Sequence, residues 1–108
     1  MAKNKWHGRT PFTLAHIHRY APELPGVYTF WFGGYCVYVG QSRKQSIRKR
    51  LIDHWQGSHN PALSLWIKAK KDSLTVSWLP VEKVAIIPVV EKRCIQRLQP
   101  LTNVLRYQ

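Results

Sequence analysis

The chain has 108 residues, enough for one domain with a modest core that needs no disulfide staples. Seventeen Lys and Arg against five acids give a formal net charge of +12. No apolar run approaches the roughly 18 residues of a membrane span, so a membrane role is excluded from the expectations. A field of that sign gathers polyanions, of which nucleic acid is the commonest; a ribosomal or merely cationic protein is the plainer alternative. Any metal-binding carboxylate must be Glu23, Asp53, Asp72, Glu82 or Glu91. Two cysteines, Cys36 and Cys94, make no disulfide framework, and the polar start Met1-Ala2-Lys3-Asn4-Lys5 lacks the apolar core of a secretory signal. A reduced, soluble, cytoplasmic protein is expected.

Residues 1–12 are basic and expected to be loosely ordered. Thr13 is a cap for a short helix to about Tyr20, stopped by Pro22 and Pro25. His16 and His18 in that helix are two apart and face different sides, which suits surface or packing roles better than metal binding.

Residues 26–40 read as a hairpin: two runs of aromatic and β-branched residues around Gly33-Gly34. A two-residue turn pairs Tyr28 with Val39 and leaves Tyr28 and Tyr38 on opposite faces. A three-residue Phe32-Gly33-Gly34 loop sets the two tyrosines directly across from each other, and a shared phenol site requires this second register.

Gln41–Gln45 read as a polar, basic loop. Ser46 then caps a helix to about Gln56, with Ile47, Leu51 and Trp55 as its apolar stripe. Arg50 and His54 share one flank of it, Lys49 and Asp53 form a solvent-side pair, and Arg48 points nearly opposite to Arg50. Asn60-Pro61 starts a helix to about Lys70 that buries Leu63, Trp66, Ile67 and Leu65. Leu74, Val76 and Trp78 alternate in a third strand ended by Pro80. A last helix runs from about Pro88 to Gln99, and the tail from Leu101 to Leu105 packs back in extended form.

In the last helix Ile87, Cys94, Ile95 and Leu98 share a face, and Glu91 sits in its middle. An ionised carboxylate there needs a compensating cation: either a nearby arginine or a divalent metal. Two phenols, an Arg–His flank and one inward carboxylate suit phosphodiester hydrolysis. The metal polarises the phosphate, the guanidinium stabilises growing charge, and a phenol or imidazole handles the attacking water. A phenol is a poor base near neutral pH unless Arg50 or the metal lowers its pKa.

Gly26-Val27-Tyr28, followed ten positions on by Tyr38-Val39-Gly40, resembles the paired motif of the GIY-YIG nuclease superfamily, with Val for Ile in both halves. Ile47–Leu51 with His54-Trp55 is similar to the family's first helix, and Glu91 with Pro100 and Asn103 to its end. The resemblance covers about residues 24–105, with residues 1–108 as a single domain. It implies an α+β fold with a three-stranded antiparallel sheet flanked by helices.

The resemblance also implies roles. Tyr28 would be the general base, Tyr38 would help hold the water and phosphate, Arg50 would be the catalytic arginine, and His54 would sit beside the phosphate. Glu91 would be the single Mg²⁺ (or Mn²⁺) ligand and Asn103 a supporting hydrogen-bonder. Gly40, where backbone would approach the site, is grouped with Arg43, Lys44, Arg48 and Lys49 as nucleic-acid contacts. The family's usual spacing lands on Arg48; Arg50 is assigned because it keeps the four-residue relation to His54, at the cost of two extra residues within Gln41–Gln45.

The expected function is a Mg²⁺-dependent endonuclease cutting DNA, one strand per active site. Its specificity would be weak, structure-directed, or supplied by a homodimer or a partner protein. The rivals are a non-catalytic nucleic-acid-binding module of the same fold and a nuclease module that works only with a partner. Trp55 is expected in the core; Trp6 and Trp31 are open to base stacking or packing.

Overall fold

The computed structural model describes residues 5–58 and 60–103. Strands β1 (Thr10–Pro11), β2 (Gly26–Phe32), β3 (Tyr35–Ser42) and β4 (Leu74–Pro80) form one antiparallel sheet in the order β1-β4-β2-β3. Helices α1 (Leu14–Tyr20), α2 (Ile47–Gly57) and α3 (Pro61–Lys70) cover one face, and α4 (Ile87–Leu98) covers the other. The α+β class is as expected, with one more strand than the three expected.

The additional strand corrects the reading of residues 5–12 as loosely ordered; residues 1–4 of that segment lie outside the described residues. β1 pairs with the outer edge of β4, and the His7 amide donates to the Trp78 carbonyl at 2.8 Å. The His7 ring stacks on Trp78, and the Arg9 guanidinium lies 3.6 Å from the Trp31 ring centre while donating to the Gly33 carbonyl. Aromatic faces thus give a basic segment somewhere to lie.

The helix starts follow from capping chemistry. Thr13, Ser46 and Asn60 accept from the backbone amides of His16, Lys49 and Leu63, satisfying donors that have no partner within the helix. Two cores result. Tyr28, Phe30 and Tyr38 meet Ile47, Leu51, Leu63 and Ile67 beneath α2 and α3. Val27, Val39 and Leu79 meet Ile87 and Ile95 beneath α4. Leu65, expected in the core, is exposed, because its helical phase turns it away from Leu63 and Ile67. Trp55 packs partly buried against the first core, edge-on to Phe12. No helix among the described residues is long and apolar enough to cross a membrane.

The hairpin adopts neither expected register throughout. Its tip is the two-residue turn, with Phe32 opposite Tyr35 and Trp31 opposite Cys36. An irregularity then shifts the pairing by one, so Tyr38 faces Phe30 and Gly40 faces Tyr28. Val37 is the extra residue, and both Val37 and Tyr38 enter the first core, as the two bulged residues of such a kink do. Tyr28 and Tyr38 therefore share a face as diagonal neighbours, without the three-residue loop. β3 also runs on through Ser42, so Gln41, expected in a loop, is a strand residue paired with Val27.

Candidate active site

Tyr28 is the centre of the site and is fully buried. Its ring centre lies 6.3 Å from that of Tyr38 and 5.5 Å from that of His54. Gly40 makes room for it: a Cβ there would come within 2.5 Å of the phenol oxygen and of the ring carbon bearing it. Its missing side chain is replaced by the Tyr28 phenol, which reaches across β3 towards the rim of the sheet.

Behind the phenol, Tyr28 Oη and His54 Nε2 share a hydrogen bond of 2.7 Å, and His54 Nδ1 is 2.9 Å from Ser58 Oγ. His54 is itself buried. It occupies the inner end of a Ser58–His54–Tyr28 chain. Burial pushes the Tyr28 phenol well above its ordinary value, and Tyr38 adds to this; Arg50 pulls it back down, and the Glu91 charge raises it again. Desolvation outweighs the guanidinium, so the phenol stays protonated.

Those influences also map the site, because Tyr38 from β3, Arg50 from α2 and Glu91 from α4 all act on one phenol. Glu91 is buried on the opposite helix layer, and its Oε1 accepts from Gln41 Nε2 at 2.8 Å. The remaining amide oxygen of Gln41 is buried and has no donor. The phenol leans over Gly40 from one side of β3 while the carboxylate meets Gln41, the next residue, on the other. The two layers thus converge at the rim of the sheet. Arg50 lines an open hollow there with Gln41, Ser42, Arg43, Lys44 and Gln45. The Glu91 carboxylate is a hard oxygen ligand of the kind that Mg²⁺ or Mn²⁺ takes. Among the described residues no three His, Cys, Asp or Glu side chains come together.

Arg48 is placed elsewhere. Its Nε donates to the Ala21 carbonyl at 2.9 Å, and one terminal nitrogen pairs with Glu23 at 2.8 Å. It ties α2 to the turn after α1. Lys49 reaches Asp53 at 2.6 Å, while Arg43 and Lys44 are exposed.

Asn103 is fully buried, with Oδ1 accepting from the Val39 amide at 2.8 Å and Nδ2 donating to the Val39 carbonyl at 3.0 Å. One side chain thus pairs with the outer edge of β3 as a neighbouring strand would. The backbone amides of Leu101 and Thr102 donate to the Cys36 and Val37 carbonyls from a turn over residues 101–103, where an extended tail was expected; Val104 and Leu105 of that tail lie outside the described residues. Asn103 holds the strand that carries Tyr38 and Gly40. Replacing it with Ala strands both Val39 backbone groups and is expected to cost about 2–6 kcal/mol at roughly 1–3 per buried group, read as a lowered midpoint in urea.

No protein-family model matches the chain. Among solved structures it superposes on the GIY-YIG N-terminal endonuclease domain of UvrC from Thermotoga maritima. An asparagine-to-alanine mutant of that domain, bound to its catalytic divalent cation, gives a TM-score of 0.60 at 24% identity over 80% of this chain and 92% of that one. A tyrosine-to-phenylalanine mutant, also bound to the catalytic cation, gives 0.60 at 23% identity over 81% and 93%.

The chain has the GIY-YIG fold. The UvrABC system protein C of Aquifex aeolicus is 33% identical over 85 residues, 79% of this chain, but the chain spans only 14% of that protein. In the site described above, sequence reasoning missed Gln41 and Ser58. Gln41 was legible in principle: two residues beyond Val39 on a strand, it must share that residue's face. Ser58 had no such signal, since it lies past the end of α2.

Proposed function

We propose that this domain is a divalent-metal-dependent endonuclease that hydrolyses phosphodiester bonds in DNA, one strand per active site. The observation that carries the reading is the Tyr28 phenol set beside Tyr38 and hydrogen-bonded to His54, with Arg50 lining the hollow and the buried Glu91 carboxylate on the other side of the same strand. The cation-bound UvrC domains share its fold. Glu91 is the residue that would hold a divalent ion, which supplies Lewis-acid polarisation of the phosphate and charge stabilisation at the leaving oxygen.

The chain's own groups do the rest. Arg50 places a guanidinium fork where negative charge grows on the phosphate oxygens. Tyr38 and Tyr28 orient the attacking water. The phenol is held protonated, so it acts as a relay: as Tyr28 Oη takes a proton from water, its own passes to His54 Nε2. Imidazole is the side chain whose ordinary range spans neutral pH, and Ser58 steadies its other nitrogen. Arg43, Lys44 and Lys49 add phosphate contacts that anchor the duplex without reading its sequence.

Incubation with supercoiled plasmid tests the reading. With Mg²⁺ or Mn²⁺, nicked circles should accumulate before linear DNA, and a chelator should stop the reaction. Salt-dependent binding without nicking, on linear, supercoiled and branched DNA alike, would leave the non-catalytic binding module as the function.

A further inference from the structure

The following rests on the nucleic-acid reading of the domain and concerns a second hollow, of about 600 Å³, on the α4 side of the sheet. It shares no lining residue with the hollow that contains Arg50. On this side β2 and β4 set Val27 opposite Leu79, Thr29 opposite Ser77, and Trp31 opposite Thr75. Val27 and Leu79 pack beneath α4. The next row is polar, and the hollow opens over it, between the Trp6–Arg9 segment and the C-terminal half of α4.

The lining suits a nucleotide. Trp31 Nε1 donates to Thr29 Oγ1 at 2.8 Å, and Thr29 Oγ1 and Ser77 Oγ share a hydrogen bond of 2.6 Å. Only one of the two hydroxyl protons can lie between those oxygens, so the other is left for a third partner. Thr29 and Ser77 are both buried and line the hollow. The Arg9 guanidinium rests on the Trp31 ring, which leaves its other face for a planar ligand. Guanidinium planes and aromatic rings are what unpaired bases stack on. Trp6 is exposed and lines the same hollow, and the exposed Arg97 brings a fork suited to phosphate. No carboxylate is among the described residues that line it.

We propose that this hollow takes an unpaired nucleotide of the bound strand. The base stacks on Arg9 and Trp6, a floor hydroxyl donates to one of its acceptors, and Arg97 meets its phosphate. A base inside a closed duplex has both faces covered by its neighbours and cannot enter. The domain therefore favours DNA that carries a base outside the stack.

Fluorescence anisotropy with the full chain, in EDTA to prevent cleavage, compares three labelled DNAs: a closed duplex, the same duplex with a one-nucleotide bulge, and that bulge made abasic. The wild type should bind the bulged duplex about five- to a hundredfold tighter than the closed one, the scale of one stacked base. The abasic bulge should lose that gain. Trp6→Ala and Arg97→Gln should each remove most of it. Trp6→Phe should keep it, as should Lys92→Gln, which removes the same charge at an exposed position elsewhere on α4. Equal affinity for bulged and closed duplexes, an abasic bulge bound as tightly as the intact one, or a gain that survives both Trp6→Ala and Arg97→Gln overturns the assignment. So does AMP quenching the tryptophan fluorescence while the bulge gains nothing, which would make this a site for free nucleotides. A wild type that binds none of the three DNAs overturns the nucleic-acid reading itself.

Discussion

Arg50→Ala should reduce plasmid nicking by on the order of a thousandfold, the scale seen when a guanidinium that stabilises phosphoryl-transfer charge is removed. Arg48→Ala should leave nicking within a few-fold of the wild type. The two side chains sit two residues apart on α2 and end in different places. Arg50 acts on the Tyr28 phenol and lines the hollow at the rim of the sheet. Arg48 is tied to the Ala21 carbonyl and Glu23. Loss of that half-exposed latch is expected to cost about 1 kcal/mol of stability, visible in a urea melt rather than in turnover. Equal losses of nicking in the two variants would refute the assignment.

Glu91→Ala should remove nicking to a similar or greater degree while leaving DNA affinity and its salt slope nearly unchanged. The carboxylate is buried, and Gln41 holds it, so it is out of reach of a duplex except through an ion. Affinity instead comes from counterion release by surface lysines and arginines, and a net charge of +12 becomes only slightly more positive when one acid is removed. Nicking and electrophoretic mobility shifts at two salt concentrations separate the two quantities. A variant that still nicks at the wild-type rate would remove Glu91 from the chemistry, and one that loses DNA binding would place it in the interface.

Much of the scaffold was legible in the sequence because it rests on local chemistry. Thr13, Ser46 and Asn60 announce their helices, Pro80 ends β4, and the period of the last helix turns Glu91 inward. What escaped depends on partners distant in the chain. The docking of His7 and Arg9 needs Trp78 and Trp31 already set side by side in the sheet. His54 reads as a flank residue from its spacing, yet the phenol of Tyr28 draws it into the core. Asn103 carries a recognisable motif position, but the pairing of its amide with Val39 depends on where the chain returns after α4. Gln41 was read as loop because composition does not show that Gly26-Val27 supplies pairing partners past Gly40.

The kink at Val37 has a bearing on how such chains are compared. With the same turn and every residue of β3 paired in regular register, Tyr38 would lie opposite Thr29 and beneath α4, and a chain bearing every motif letter in order would present one phenol to each layer. Shared letters in this hairpin are therefore insufficient grounds for shared chemistry; the length of the second strand between its turn and its tyrosine has to be counted as well.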